Sequence, residues 1–469
     1  MASLFLSAAH KSSGKTTLSI GLCEALKQRG LRVQPFKKGP DYIDPIWLGM
    51  AAGNPCYNLD FFVASRQETI DDYCHRGRDA DICIIEGNKG LYDGLDLDGS
   101  NSNAALAKAI ASPVILVIDV RGTMRGIAPL LIGYQVFDEE VNIAGVIANM
   151  AGGSRHESKL RAAVEEYTDI PFLGALQNDP ALLALSERHL GLIPGYEDPD
   201  AMRRIAAIGD AVRGNVDLDR LLELSLQAAP LAAASSPLQQ KPEFRDLRIG
   251  IARDRAFGFY YPGDLDAFTQ AGARLVPIDT IRDRRLPAID GLFIGGGFPE
   301  RHAAELAANA DLRAAIRNAI EAGLPTYAEC GGMMYLSRSL SWNGLTHDMV
   351  GVLPAQTLMH EKPQGRGYVK LDEIDGQHPW MSRGQSAQTL CAHEFHYSSL
   401  QGLPADSRFA YRMQRGSGIG QQQDGLVYRN LLASYTHLRN TAANPWVKRF
   451  LQFVQTNRLA CASGIANAL

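Results

Sequence analysis

The sequence predicts an α/β protein built from two successive units, and three observations carry that expectation. The chain has 469 residues, more than one ordinary hydrophobic core serves. Short apolar strands alternate with helically periodic segments in both halves, the pattern of a parallel sheet covered on both faces. A stretch of small, polar and proline residues over 228–242 reads as a linker between the two runs. The expected division is therefore a first unit over 1–227, a linker over 228–245 and a second unit over 246–469.

In the first unit a buried strand over 2–9 precedes a loop and a helix that runs from Thr16 to Gly30, where glycine suits the C-terminal stop. Further strands follow over 32–37, 81–86, 114–119 and 143–149. The second unit starts with a strand over 247–252 and continues with strands over 275–278, 291–294 and 325–328. Beyond Trp342 the pattern is less regular, and several β segments are expected before a final helix over 445–455.

Composition excludes some functions. With 47 basic and 51 acidic residues the chain lacks the basic excess of a general nucleic-acid surface. No apolar run reaches the roughly 20 residues of a membrane helix. The start, Met1-Ala2-Ser3-Leu4-Phe5-Leu6-Ser7, has no basic residue and a very short apolar run, unlike a signal peptide, so a cytoplasmic protein is expected. The seven cysteines are scattered without a C-x-x-C pair, which indicates neither a disulfide framework nor a zinc knuckle.

Two chemical devices stand out. The first is Ala8-Ala9-His10-Lys11-Ser12-Ser13-Gly14-Lys15-Thr16-Thr17, placed between strand and helix. Small residues let backbone N–H groups curl around phosphates, a Lys reaches the β/γ-phosphates and a hydroxyl faces Mg²⁺. Ser12, Ser13, Gly14, Lys15, Thr16 and Thr17 are thus candidate ATP-binding residues, with Ala9 where the first glycine of the usual pattern stands. Magnesium needs hard oxygen ligands. Thr16, Asp41 and Glu86 are the candidates, Glu86 because it ends an apolar strand. Asp41 and Asp44, in Lys38-Gly39-Pro40-Asp41-Tyr42-Ile43-Asp44-Pro45, follow another strand and are expected near the phosphates. Asn149 closes a strand at a place where such folds often touch the nucleotide base.

The second device is Ala328-Glu329-Cys330-Gly331-Gly332, between a strand and a helical run. Small residues two before and two after Cys330 meet the packing needs of a nucleophile elbow. A helix N-terminus and a nearby His would favour the thiolate. The turn Gly295-Gly296-Gly297 offers backbone N–H groups for an oxyanion, with Gly296 and Gly297 as candidates. His437, His393 and His396 all compete for the role of base, His437 being the best placed.

The order of these motifs resembles the cobyrinic acid a,c-diamide synthase family over nearly the full length. The match lies in the Lys38–Pro45 motif, Glu86-Gly87 followed by Gly90-Leu91-Tyr92-Asp93-Gly94, Glu187-Arg188-His189-Leu190-Gly191-Leu192, the run from Ala252 to Tyr261, and His393-Glu394-Phe395-His396-Tyr397-Ser398. The resemblance implies a P-loop NTPase-like parallel-sheet domain followed by a class I glutamine amidotransferase-like domain. It also implies a mechanism: Cys330, with His437 as base, hydrolyses glutamine through a thioester, and the ammonia amidates a tetrapyrrole carboxylate activated by ATP·Mg²⁺. Asp41 and Asp44 are then catalytic, and Tyr42, Ile43, Lys89 and Asp93 belong to substrate or acyl-phosphate handling.

Many class I amidotransferases carry a Glu two residues after the His; here that residue is Arg439, and the resemblance suggests a Cys–His pair with no third member assigned. The polar Asn88-Lys89 and the cationic 362–368 segment with Arg366 depart from cobalamin-pathway patterns and resemble relatives that amidate sirohaem-type tetrapyrroles, the alternative substrate. A partitioning-type regulatory ATPase would leave Cys330 and His437 idle, and its signature Lys is replaced by His10. The expected partners are a tetrapyrrole and glutamine, with no nucleic acid and no membrane; a homodimer is compatible with the sequence.

Overall fold

A computed structural model describes residues 1–179, 187–188, 191–231, 242–380 and 387–462. The chain divides into two compact units, 1–237 and 238–469. Most of the linker, 232–241, lies outside the described residues, as do His189 and Leu190 of the motif quoted above. Among the described residues no helix is long and apolar enough to cross a membrane.

The first unit is a seven-stranded sheet. Its strands are β1 (Ser3–Ala8), β2 (Val33–Lys38), β3 (Tyr57–Leu59), β4 (Ile82–Glu86), β5 (Val114–Asp119), β6 (Ile143–Ala151) and β7 (Phe172–Gln177). Their order is β3-β2-β4-β1-β5-β6-β7, and every pairing is parallel. Alternation along β1 feeds two cores: Leu4 and Leu6 pack with Leu18, Leu22 and Leu26 of helix α1 (Lys15–Gln28), and Phe5 packs with Phe36, Ile85 and Leu116 on the other face. Both faces are therefore apolar and covered, as the sequence predicts for parallel strands. Strands β3 and β7 add to those the sequence pattern predicts. The first has only three residues and owes its place to its pairing with β2.

The consequence for function is geometric. In a parallel sheet all C-terminal strand ends lie on one edge, where ligands gather. That edge collects the loop after β1, the Lys37–Asp44 region after β2, Glu86 at the end of β4 and Asn149 in β6.

The second unit has a ten-stranded mixed sheet. Strands Arg274–Ile278, Arg248–Ala252, Gly291–Ile294, Thr326–Glu329 and Leu431–Ser434 run parallel in that order. Antiparallel strands then extend it through Gln423–Tyr428, Arg408–Arg415, Gly365–Glu373 and Thr389–His396 to the short Thr436–His437 segment. The final helix runs Trp446–Ala462, longer than its apolar pattern predicts. Trp446, Phe450 and Val454 on it are fully buried.

Candidate functional sites

The phosphate loop of the first unit bends through Ser12 and Gly14, both left-handed at φ 65° and 82°. A side chain at Gly14 would collide with the Asn149 amide, so glycine is required there for space as well as conformation. Asn149, expected beside a nucleotide base, is 1 % exposed and donates from Nδ2 to the Ser13 carbonyl at 2.9 Å. The Ser13 hydroxyl turns back to the His10 carbonyl at 2.8 Å, and Tyr134 donates to the Ala9 carbonyl at 2.6 Å. The loop is thus braced from three sides before any ligand arrives, which lowers the cost of ordering it around phosphates.

Next to the loop lies a charged recess. The Thr16 hydroxyl donates to Glu86 Oε1 at 2.8 Å and to Asp44 Oδ2 at 3.3 Å. Lys37 sits between the same carboxylates, 2.6 Å from Asp44 Oδ2, 2.7 Å from Glu86 Oε1 and 3.7 Å from Asp41 Oδ2. Register explains the contact, because Lys37 of β2 stands directly opposite Glu86 of β4 and both side chains share a face. Asp41 also caps the next helix, its Oδ1 accepting from the N–H groups of Ile43 and Asp44 at 3.0 and 3.2 Å. Asn58 fixes the turn by donating to the carbonyls of Gly39 and Asp41.

The charges shape one another. Burial works against the Lys37 ammonium, but the Asp44, Glu86 and Asp41 charges outweigh it and hold the lysine protonated well above its ordinary range. Burial likewise opposes the Asp44 carboxylate, yet Lys37 holds it ionised and below its usual value. Desolvation in the recess, then the Asp44 charge, raises Asp41 to about 7. Glu86 is raised chiefly by burial. Lys15 is lowered, first by burial and further by the Lys37 charge.

Among the described residues no group of three or more His, Cys, Asp or Glu forms a ready metal cage. Magnesium does not need one, since it uses one or two carboxylates with substrate phosphates and water. Glu86 Oε2 is buried without a hydrogen-bond partner, beside the Thr16 hydroxyl and two further carboxylates. An orphaned carboxylate oxygen among hard donors fits a divalent cation.

Tyr42 and Ile43 are half-buried at the start of the helix Ile43–Ala52, and Lys89 and Asp93, in the segment after β4, are exposed. Asp93 accepts from the Gly90 N–H at 3.0 Å. Lys38 points inward and donates to Asn101 at 2.8 Å. Burial lowers it to about 8.

In the second unit, the Thr326–Glu329 strand delivers Cys330 at φ 49° and ψ −103°, an uncommon conformation for a residue with a side chain, and the helix Gly331–Leu336 follows at once. A Cβ on Gly332 would be driven into the Ile294 carbonyl, so the elbow closes only with glycine there. Cys330 is 8 % exposed, with Sγ 3.8 Å from the Phe395 carbonyl.

Of the three competing histidines, His437 is the one whose charge the neighbouring Cys330 side chain favours. His393 stacks against His437 with centroids 4.9 Å apart and bonds the Tyr261 hydroxyl at 3.2 Å. His396 stacks on Tyr435 at 3.7 Å and bonds the Ser398 carbonyl. Burial opposes charge on His437, but Cys330 and Glu329 overcome it and raise His437 to about 10. His393 is pushed well below its ordinary value, first by burial and then by the His437 charge.

Gly296 and Gly297 pair antiparallel with Phe257–Phe259, and the Gly297 nitrogen lies against Gly331. A Cβ at Gly296 would stand 2.8 Å from His437 Cε1, so this turn borders the thiol site. The Gly295 N–H is committed to the Tyr260 hydroxyl at 3.0 Å. Arg366 lies over the Phe395 ring in this unit, and Arg439 lies over Tyr261.

Two residues that sequence reasoning left without a role stand out, Lys37 and Glu329. Each meets its partner only through strand register, which has no local signature.

Comparison with known proteins bears on both units. Residues 7–193 match the CobQ/CobB/MinD/ParA nucleotide binding domain, and residues 248–445 match the CobB/CobQ-like glutamine amidotransferase domain. The chain is 45 % identical over 455 residues to a cobyrinate a,c-diamide synthase of Magnetococcus marinus, covering 96 % of each. It is 39 % identical to one of Methanosarcina barkeri, over 97 % of this chain and 96 % of the relative. It is 38 % identical to one of Listeria monocytogenes, over 93 % and 96 %.

Proposed function

We propose a reaction for a chain that belongs to the cobyrinate a,c-diamide synthase family: ATP- and glutamine-dependent amidation of peripheral acetate carboxylates of cobyrinate. The observation that carries this reading is the end-to-end similarity, 45 % identity over 96 % of both chains, in a protein that holds a phosphate loop and a thiol site together.

At the thiol site His437, raised to about 10, already holds the proton, and the Cys330 sulfur attacks the side-chain carbonyl carbon of glutamine. The N–H groups of Gly296 and Gly297 face the oxyanion. The C–N bond breaks, His437 gives the proton to the departing ammonia, and water then cleaves the thioester to glutamate.

At the phosphate loop, the backbone N–H groups from Ser12 to Thr17 and the Lys15 ammonium hold the ATP phosphates. Thr16, Asp44 and Glu86 would hold Mg²⁺, with Asp41 at its margin; the ion would neutralise phosphate charge. A substrate carboxylate oxygen attacks the γ-phosphorus and ADP leaves. Ammonia attacks the resulting acyl carbon and phosphate departs. Phosphorylation is needed because oxide is too poor a leaving group for an amine to displace. Asp41, at the margin of the recess, receives the proton that ammonia loses. Tyr42, Ile43, Lys89 and Asp93 border the acceptor. Asn149 braces the loop through Ser13.

The test is mass spectrometry of products after incubation with ATP, Mg²⁺ and glutamine, with cobyrinic acid and sirohaem offered in parallel. The exchange of OH for NH₂ on cobyrinic acid, at one or both acetates, supports the proposal. The same exchange on sirohaem alone would overturn the choice of substrate, and ATP turnover with neither product would overturn both.

A further inference from the structure

The glutaminase reading has an unfilled position. A Cys–His pair works best when a carboxylate fixes the imidazole so that one nitrogen is a base and the other a donor. Arg439 stands where a carboxylate two residues after the histidine would be, and it lies over the Tyr261 ring at 5.6 Å.

The carboxylate arrives from elsewhere. Glu329, the residue before the nucleophile, is 2 % exposed and places Oε2 3.4 Å from His437 Nδ1. Its other oxygen is anchored. Oε1 accepts from the Tyr327 hydroxyl at 2.7 Å and from the Leu438 N–H at 2.9 Å. The strand pairing brings this about. Glu329 stands opposite Ser434, and the Cys330 N–H donates to the Ser434 carbonyl at 2.7 Å. The chain then bends around buried Asp424, which accepts from Ser434 Oγ, from the Tyr435 and Thr436 N–H groups and from Thr436 Oγ1. That bend returns His437 over the end of the Glu329 strand. An ionisable side chain this buried is costly unless it is paired. The Tyr327 and Leu438 bonds satisfy one oxygen and leave the other directed at His437.

We propose that Glu329 is the positioning residue of the thiol site: its carboxylate accepts Nδ1–H from His437 and fixes the ring so that Nε2 faces Cys330. Nucleophile and orienting carboxylate are then adjacent in sequence, and their backbone joins them rigidly. The inference rests on the glutaminase reading of this site.

The test measures glutaminase kinetics and ammonia-dependent amidation for wild type, Glu329→Gln and Glu329→Asp. The Gln variant keeps the Oε1 acceptor for Tyr327 and Leu438 but sets an NH₂ group against Nδ1–H, so the His437 ring loses the acceptor that orients it. Its kcat for glutamine should fall about 10²- to 10⁴-fold with KM little changed. Ammonia-dependent amidation should stay at the wild-type rate. The Asp variant, charged but shorter, should recover part of the loss. In the wild-type protein, NMR should show a strongly downfield Nδ1–H proton for His437, a readout that does not depend on any variant folding. Glutaminase activity unchanged in Glu329→Gln, or no downfield proton in wild type, would overturn the proposal. Absence of glutaminase activity in wild type would instead overturn the reading on which it rests.

Discussion

Lys37 and Glu86 face each other across adjacent parallel strands, with the ammonium 2.7 Å from Oε1 and both side chains almost wholly buried. The same ammonium is 2.6 Å from Asp44, so one lysine neutralises much of a three-carboxylate recess. Without it, the folded protein would hold neighbouring carboxylates in a poorly solvated place, where like charges and burial act together.

Lys37→Met should therefore destabilise the metal-free protein by about 3 kcal/mol, the usual cost of leaving a buried charge unpaired. Magnesium should reverse most of the loss, because a divalent cation can replace the missing ammonium. Thermal melts with and without Mg²⁺ would show a larger stabilisation by the ion in the variant than in wild type. Equal responses would mean that the recess does not take the cation.

The two devices should separate by nitrogen source. Cys330→Ala should abolish glutamine-dependent amidation and keep the ammonia-dependent reaction, because only the thioester step needs sulfur. Lys15→Ala should stop amidation from both sources if, as proposed, its ammonium holds the ATP phosphates. Parallel assays with glutamine and ammonium salts decide the matter, and loss of both activities in Cys330→Ala would contradict a separate glutaminase site.

What was legible in the sequence was local. Gly14-Lys15-Thr16 follows closely on β1, which ends at Ala8, and the pattern that marks it lies in consecutive residues. Cys330 is legible for the same reason, as a thiol flanked by small residues between strand and helix. Glu86 could be placed because it ends an apolar strand. Lys37 and Glu329 were visible as letters and mute as to role, because Lys37 reaches Glu86 only through the pairing of β2 with β4, and Glu329 reaches His437 only through the pairing of its strand with Leu431–Ser434. The antiparallel extension of the second sheet was legible only as irregular β segments. Its strands alternate buried and exposed residues and are fixed by distant partners, as in the pairing of Gly365–Glu373 with Thr389–His396.

Gly332→Ala tests the elbow. The added methyl group would press on the Ile294 carbonyl, which is backbone and cannot swing aside. The change should cost about 1–3 kcal/mol, as overpacking does, and displace Cys330 from His437. Thiol alkylation and glutaminase rates should both fall, while ammonia-dependent amidation persists. A fully active variant would show that the turn can relax.

Asp264 should give the second unit a pH-dependent stability. Burial raises this carboxyl to about 7, against the hydrogen bond it accepts from the Asn440 N–H. The Trp446 indole donates to its other oxygen at 3.0 Å, so the group ties the final helix to the helix Pro262–Gln270. In the unfolded chain an Asp titrates near 3.9. Between about pH 4 and 7 the folded protein thus binds the extra proton, and stability falls as pH rises through that window, by at most about 1.4 kcal/mol per pH unit. His437 has a separate window: its folded value is also raised, so its contribution is complete below about 6.5 and is lost as pH rises toward 10. Asp264→Asn should lower stability at acidic pH, because its NH₂ group cannot accept one of the two hydrogen bonds. It should also flatten the decline between pH 4 and 7, so that the wild-type and variant melting curves converge as pH rises. Curves that stay parallel across this range would mean that Asp264 is ionised in the folded protein throughout.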